Sequence, residues 1–181
     1  MIDSFLKEVK DTIDRLDRDS IKRVIDLIAN LKGRLFIVGS GGGAGNASHA
    51  VCDFRKLCDI DALTFENISE LTARVNDDGW GTTLTAWLAV SDFDKDDCLF
   101  VLSVGGGTET VSVNLHSAIL YAKNVDAKII GIVGREESTL VKNADAYILV
   151  KSALMTPVVE GLQSVLLHLI CTKLAKNKTV W

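Results

Sequence analysis

His49 and Asp53 lie four residues apart, just beyond the run Gly39-Ser40-Gly41-Gly42-Gly43-Ala44-Gly45-Asn46. On a helix that spacing places an imidazole and a carboxylate on one face, a pair able to take and return a proton. The apolar stretch Leu35-Phe36-Ile37-Val38 before the glycines reads as a strand, and residues 44 to 57 read as a helix. A helix start collects unpaired backbone N–H groups and the positive end of the peptide dipoles, so an anion such as phosphate fits there. The anion and the two proton-active groups are expected to share one pocket.

The same arrangement recurs at Cys98-Leu-Phe-Val-Leu-Ser103, which empties into Gly105-Gly106-Gly107, with Thr108-Glu109 opening a helix to about residue 122. Further polar candidates are Asn76-Asp77, in a polar turn over 76–81, and Glu160 and His168, in a long terminal helix over 157–176. Each has a plainer reading beside the functional one. Asp53 neighbours Arg55 and Lys56 and suits a solvated face; Asn76-Asp77 suit a helix cap; Glu160 suits a first-turn acid; His168, among leucines, suits a satisfied core histidine. His116 has no motif around it, and Trp80, Trp87 and Trp181 suit packing.

The elements that must position these groups follow from periodicity. Residues 2–32 carry apolar positions at helical spacing in two segments, with Asp19 or Ser20 as the second N-cap. Strands are expected at 62–66, 98–103, 128–133 and 146–150, and helices at 68–75, 82–90 and 138–142. Strands that alternate with helices and read as continuous apolar runs indicate a parallel sheet covered on both faces. The expected fold is an α/β three-layer sandwich with a central parallel sheet, preceded by two N-terminal helices. In such sheets ligands bind beyond the carboxyl ends of the strands, where both glycine turns fall.

Composition narrows the function. The chain has 181 residues, 48% of them apolar, and a net charge of −4, which is one soluble domain over 1–181 without the basic footprint of a nucleic-acid binder. Its first ten residues lack a signal core and no run reaches the length of a membrane span, so a cytoplasmic protein with no membrane partner is expected. Four cysteines without paired spacing, Cys52, Cys58, Cys98 and Cys171, are expected to be reduced core residues. Gly39-x-Gly41-x-x-Ala44, with Glu66 as a ribose ligand, partly fits a dinucleotide fingerprint, but that reading leaves the second glycine turn and the last helix without a role.

Taken together, Gly39 to His49 with Asp53, Asn76-Asp77, Leu102 to Thr108, and Glu160 with His168 resemble the sugar isomerase (SIS) domain family, most of all its phosphoheptose isomerases, over essentially the full length. The resemblance implies a homotetramer that converts sedoheptulose 7-phosphate to a heptose phosphate, with Zn2+ held by His49, Asp53, Glu160 and His168. It further implies substrate contacts at Ser40, Gly41, Gly42, Asp53, Asn76, Asp77, Ser103, Val104, Gly105, Thr108 and Glu160, with Asp53 as base and His168 as its acid partner or a metal ligand.

The match is uneven. Ser40 stands for the family Asn, Gly43 for Ser, Asp53 for Glu, Val104 and Gly105 for Thr and Ser, Thr108 for Ser, and Glu160 for Gln. Fewer hydroxyls are left for phosphate, while every metal candidate can still donate, so the metal site is expected to be retained and the phosphate site altered. Glu160 and His168 on one straight helix would lie about 12 Å apart, so either the helix begins after Glu160 or two subunits contribute. Two other readings stand beside the isomerase: a non-catalytic SIS module that binds a sugar phosphate or a protein, and a nicotinamide-dependent oxidoreductase.

Overall fold

The computed structural model describes residues 1–154 and 156–175. Helices α1 (Ile2–Asp14) and α2 (Arg18–Ala29) precede β1 (Leu35–Gly39), α3 (Gly42–Cys58), β2 (Ala62–Leu63), α4 (Ile68–Asp78) and α5 (Thr83–Val90). The chain continues through β3 (Cys98–Ser103), α6 (Val113–Asn124), β4 (Lys128–Val133), α7 (Thr139–Asn143), β5 (Ala146–Leu149) and α8 (Thr156–Leu174). The strands form one parallel sheet in the order β2-β1-β3-β4-β5. Every residue of β3 is buried, as a strand covered on both faces must be.

Alternate side chains of the strands feed two cores. Leu35, Ile37, Phe100 and Leu102 pack under α2, α3 and α8, whereas Phe36, Val38, Leu99 and Val101 pack under α5, α6 and α7. The chain moves outward from β1 to β2 and then returns to β3 on the other side, so the sheet reverses direction between β1 and β3. There the exits of two neighbouring strands part and leave a crevice.

Several expected boundaries are corrected. The cap of α2 is Asp17, whose carboxylate accepts from the Asp19 N–H at 3.0 Å, not Asp19 or Ser20. Helix α4 runs through Asn76 and Asp77, which occupy its last turn instead of a loop. Helix α6 begins at Val113, not at Thr108. The Thr108 hydroxyl accepts from the Val111 N–H at 2.9 Å and the Thr108 N–H donates back to the Val111 carbonyl at 2.8 Å, closing a separate turn first. Strand β2 is two residues long and pairs only with Leu35 and Phe36. Lys176 and Trp181 lie outside the described residues.

Of the N-terminal pair, α2 seals the core through Ile21, Val24 and Ile28, while α1 leaves Ile2, Phe5 and Leu6 exposed. The Glu8 carboxylate ties α1 down by accepting from the Ser152 hydroxyl at 2.8 Å and the Ala153 N–H at 3.0 Å. No described helix is long and apolar enough to cross a membrane.

Candidate functional site

The crevice at the sheet reversal is a cavity of ≈420 Å³. Its floor is the close meeting of the two glycine turns. Gly41 holds φ +58°, and a Cβ built at Gly43 would fall well inside 3.0 Å of the Leu102 carbonyl oxygen, so the start of α3 lies directly against the backbone of β3. Ser40 lines the cavity with a buried hydroxyl that has no partner among the described residues. The second turn contributes Ser103, Val104, Gly105 and Thr108. The Ser103 hydroxyl accepts from the Gly106 N–H at 2.9 Å, which folds the turn and leaves its own proton to donate.

Glu160 forms part of the opposite wall. Its carboxylate stands over Gly42, where any side chain would collide with it. The Asn46 amide holds the adjoining backbone by donating to the Glu160 carbonyl at 2.9 Å and to the Gln163 Oε1 at 3.3 Å. Gln163, fully buried, in turn donates to the Ile132 carbonyl at 3.2 Å, fastening α8 to the end of β4.

A second constellation sits farther along the seam between α3 and α8. The Nε2 atoms of His49 and His168 are 3.1 Å apart, and Asp53 Oδ2 lies 3.3 Å from the first and 3.5 Å from the second. Side-chain exposures of 57% for His49, 42% for His168 and 16% for Asp53 leave the imidazoles open on one side and the carboxylate beneath them. Donors about 2.0–2.2 Å from a tetrahedral ion stand roughly 3.3–3.6 Å from one another, so this set fits zinc or a similar divalent ion with a position to spare. Two unprotonated Nε2 atoms facing each other at this distance would otherwise repel, and a shared proton or a cation relieves that.

The expected single pocket is therefore divided in this chain between a cavity and a seam. Helix α8 is continuous from Thr156, so Glu160 and His168 remain two turns apart and Glu160 stays outside the three-donor cluster. Ser40, Ser103, Val104, Gly105, Thr108 and Glu160 meet at the cavity. Gly41 and Gly42 form the turn beside it, and Gly42 lies under the Glu160 carboxylate. Asn76 and Asp77 are exposed at the end of α4, with the Asn76 amide donating to the Asp77 carboxylate at 2.7 Å, and neither lines the cavity. Glu66 accepts from the Ser48 hydroxyl on α3 instead of facing the cavity.

His116 Nδ1 pairs with the Thr139 hydroxyl at 2.7 Å in a neighbouring polar cleft. Trp87 is buried and stacked on Phe65, as packing requires, whereas Trp80 is 45% exposed. Cys58, Cys98 and Cys171 are buried, and burial pushes the Cys98 and Cys171 thiols far up; Cys52 is exposed, contrary to the core reading.

Sequence reasoning passed over Arg135, Ser112 and Gln163. The available signal for Arg135 was its place immediately after a strand exit, at Gly134-Arg135; Gln163 carried none beyond a lone amide in an apolar helix.

No family model matches the sequence. A phosphoheptose isomerase of Geotalea uraniireducens is 30% identical over 161 residues, covering 85% of this chain and 81% of that protein. One of Syntrophotalea carbinolica is 28% identical over 189 residues, covering 97% and 93%. The phosphoheptose isomerase structure from Neisseria gonorrhoeae superposes with a TM-score of 0.85 over 96% of each chain at 20% identity, sharing the fold. With identity at that level sustained over most of its length, the chain belongs to the phosphoheptose isomerase family.

Proposed function

We propose that the protein interconverts the ketose and aldose forms of a phosphorylated sugar, sedoheptulose 7-phosphate being the substrate named by the resemblance. The observation that carries the reading is the convergence of His49, Asp53 and His168 within 3.5 Å on helices that also wall a polar cavity. Isomerisation moves a proton between adjacent carbons through an enediol, which calls for a base at one carbon and a proton donor near the carbonyl oxygen. Asp53, seated under the two imidazoles, suits the base, and His168 suits the donor. A Zn2+ ion held by His49, Asp53 and His168 would polarise the carbonyl oxygen and stabilise the charge that develops on it. The cavity takes the phosphate end, where Ser40, Ser103 and Thr108 offer hydroxyls.

The roughly 12 Å between Glu160 and His168 along α8 means that one chain alone holds the two halves apart. We infer that a homotetramer completes the site, with a neighbouring copy placed against the seam. Exposed Val165 and Leu169 on α8, the helix that carries His168, and exposed Ile2 and Leu6 on α1 support this, because they leave apolar surface for a second copy to cover. Four cysteines with no disulfide among them suit the reducing cytoplasm. A non-catalytic sugar-phosphate-binding module is the second reading, favoured by Val104 and Gly105, which offer no hydroxyl.

The test is turnover of sedoheptulose 7-phosphate by the purified protein. Asp53→Asn is expected to lower kcat by roughly 10²–10⁴-fold, and His49→Ala to remove a stoichiometric metal measured by elemental analysis. Mixing inactive His168→Ala and Ser103→Ala chains should restore activity if the site is shared. Wild-type protein that binds the sugar phosphate but never turns it over would leave the binding module as the answer.

A further inference from the structure

Among the described residues, Arg135 is the only cation lining the cavity, and it makes no ion pair or side-chain hydrogen bond with any of them. Its side chain is exposed, and the backbone at its root is fixed from both sides. The preceding Gly134 donates its N–H to the Val104 carbonyl at 3.0 Å, and a Cβ at Gly134 would press on both Val104 O and Val159 Cγ2 at 3.0 Å. The exit of β4 is thus wedged between the second glycine turn and the start of α8. Arg135 emerges beside Val104 and Gly105, the two turn positions that bring no hydroxyl.

The remaining charged lining is acidic, Glu137 and Glu160. A phosphate monoester, near −2 at neutral pH, would meet two carboxylates and few donors there without a guanidinium. We propose that Arg135 is the phosphate anchor of this chain, standing in for the missing hydroxyls and setting its preference for a phosphorylated ligand. The planar fork of arginine donates two parallel N–H bonds to phosphate, which a hydroxyl cannot do. The Glu160 carboxylate stands over the Gly42 turn on the β1 side of β3, whereas Arg135 leaves β4 on the other side of β3. That charge separation turns a sugar phosphate so that its anion faces Arg135 and its hydroxyls face Glu160.

The proposal rests on the cavity taking the phosphate, and its test is chosen not to depend on turnover. Binding of inorganic phosphate to the full chain is measured by calorimetry for wild type, Arg135→Gln and Arg135→Lys, with Lys151→Gln, an exposed residue outside the cavity, as the charge control. Arg135→Gln should weaken phosphate about 10- to 100-fold, Arg135→Lys should recover part of the loss, and Lys151→Gln should match wild type. With sedoheptulose 7-phosphate, KM should rise in parallel while kcat holds, the pattern of lost uniform binding. Unchanged phosphate affinity in Arg135→Gln, an equal loss in Lys151→Gln, or no phosphate binding by wild type overturns the proposal. Arg135-dependent phosphate binding without any turnover keeps it and removes the isomerase.

Discussion

Restoring the family serine at position 43 separates two explanations for its loss. If the glycine merely lacks a hydroxyl, Gly43→Ser should improve phosphate binding by about 1 kcal/mol, one added hydrogen bond. The structure predicts the opposite. The Cβ would sit well inside 3.0 Å of the Leu102 carbonyl, a distance that real Cβ atoms essentially never reach, and its neighbour is backbone and cannot rotate away. Leu102 is itself fully buried and in register with Gly39 on β1, so the strand cannot yield alone. The start of α3 must lift instead, carrying Gly42 into the Glu160 carboxylate that already fills the space above it. Overpacking of this kind costs about 1–3 kcal/mol, and a backbone neighbour that cannot rotate away places it in the upper half of that range. For a domain of this length, 2–3 kcal/mol lowers the melting temperature by about 4–12 °C. Calorimetric melting of Gly43→Ser, paired with phosphate titration, is the assay. A variant that melts with wild type and binds phosphate more tightly would refute the reasoning and show that the turn has room.

Two further outcomes concern stability away from the cavity. Asp97, almost fully buried at the amino end of the sheet, accepts from the Arg34 N–H at 2.6 Å and from its guanidinium at 2.8 Å. Asp97→Ala should cost about 3 kcal/mol by stranding these donors, lowering the melting temperature without raising KM; a shift under about 2 °C would contradict it. Glu8 is held below the usual carboxylate range, first by the Ser152 hydroxyl and next by the Ala153 N–H. A depressed folded value means that its contribution is complete above the ordinary glutamate range and is lost as the pH falls through the folded value. Melts followed from neutral pH to about pH 3 should therefore converge for wild type and Glu8→Gln, and parallel curves would rule out the role.

How far the sequence could be read depended on the range of the interaction that decided each feature. Strands β1, β3 and β4 were legible because burial on both faces demands unbroken apolar runs, and Leu35 to Val38 and Cys98 to Leu102 supply them. The start of α6 was not, because Thr108 spends its hydroxyl on closing a local turn with Val111, and nothing in residue type distinguishes that from a cap. The site shows the same division. His49, Asp53 and His168 could be picked out by type and spacing, but their convergence depends on α3 lying along α8, which no local pattern encodes. Arg135 faces the cavity because β4 is the neighbour of β3 in the sheet, a fact of strand order. Glu160 is the most telling case, since its eight-residue distance from His168 already implied a separation too long for one ion. The unbroken α8 removes one of the two ways around that separation, a helix beginning after Glu160. A metal site that also used Glu160 would need a neighbouring copy, so a Glu160→Gln chain mixed with a His168→Ala chain distinguishes a metal site confined to the three seam donors from one that borrows a fourth donor across subunits.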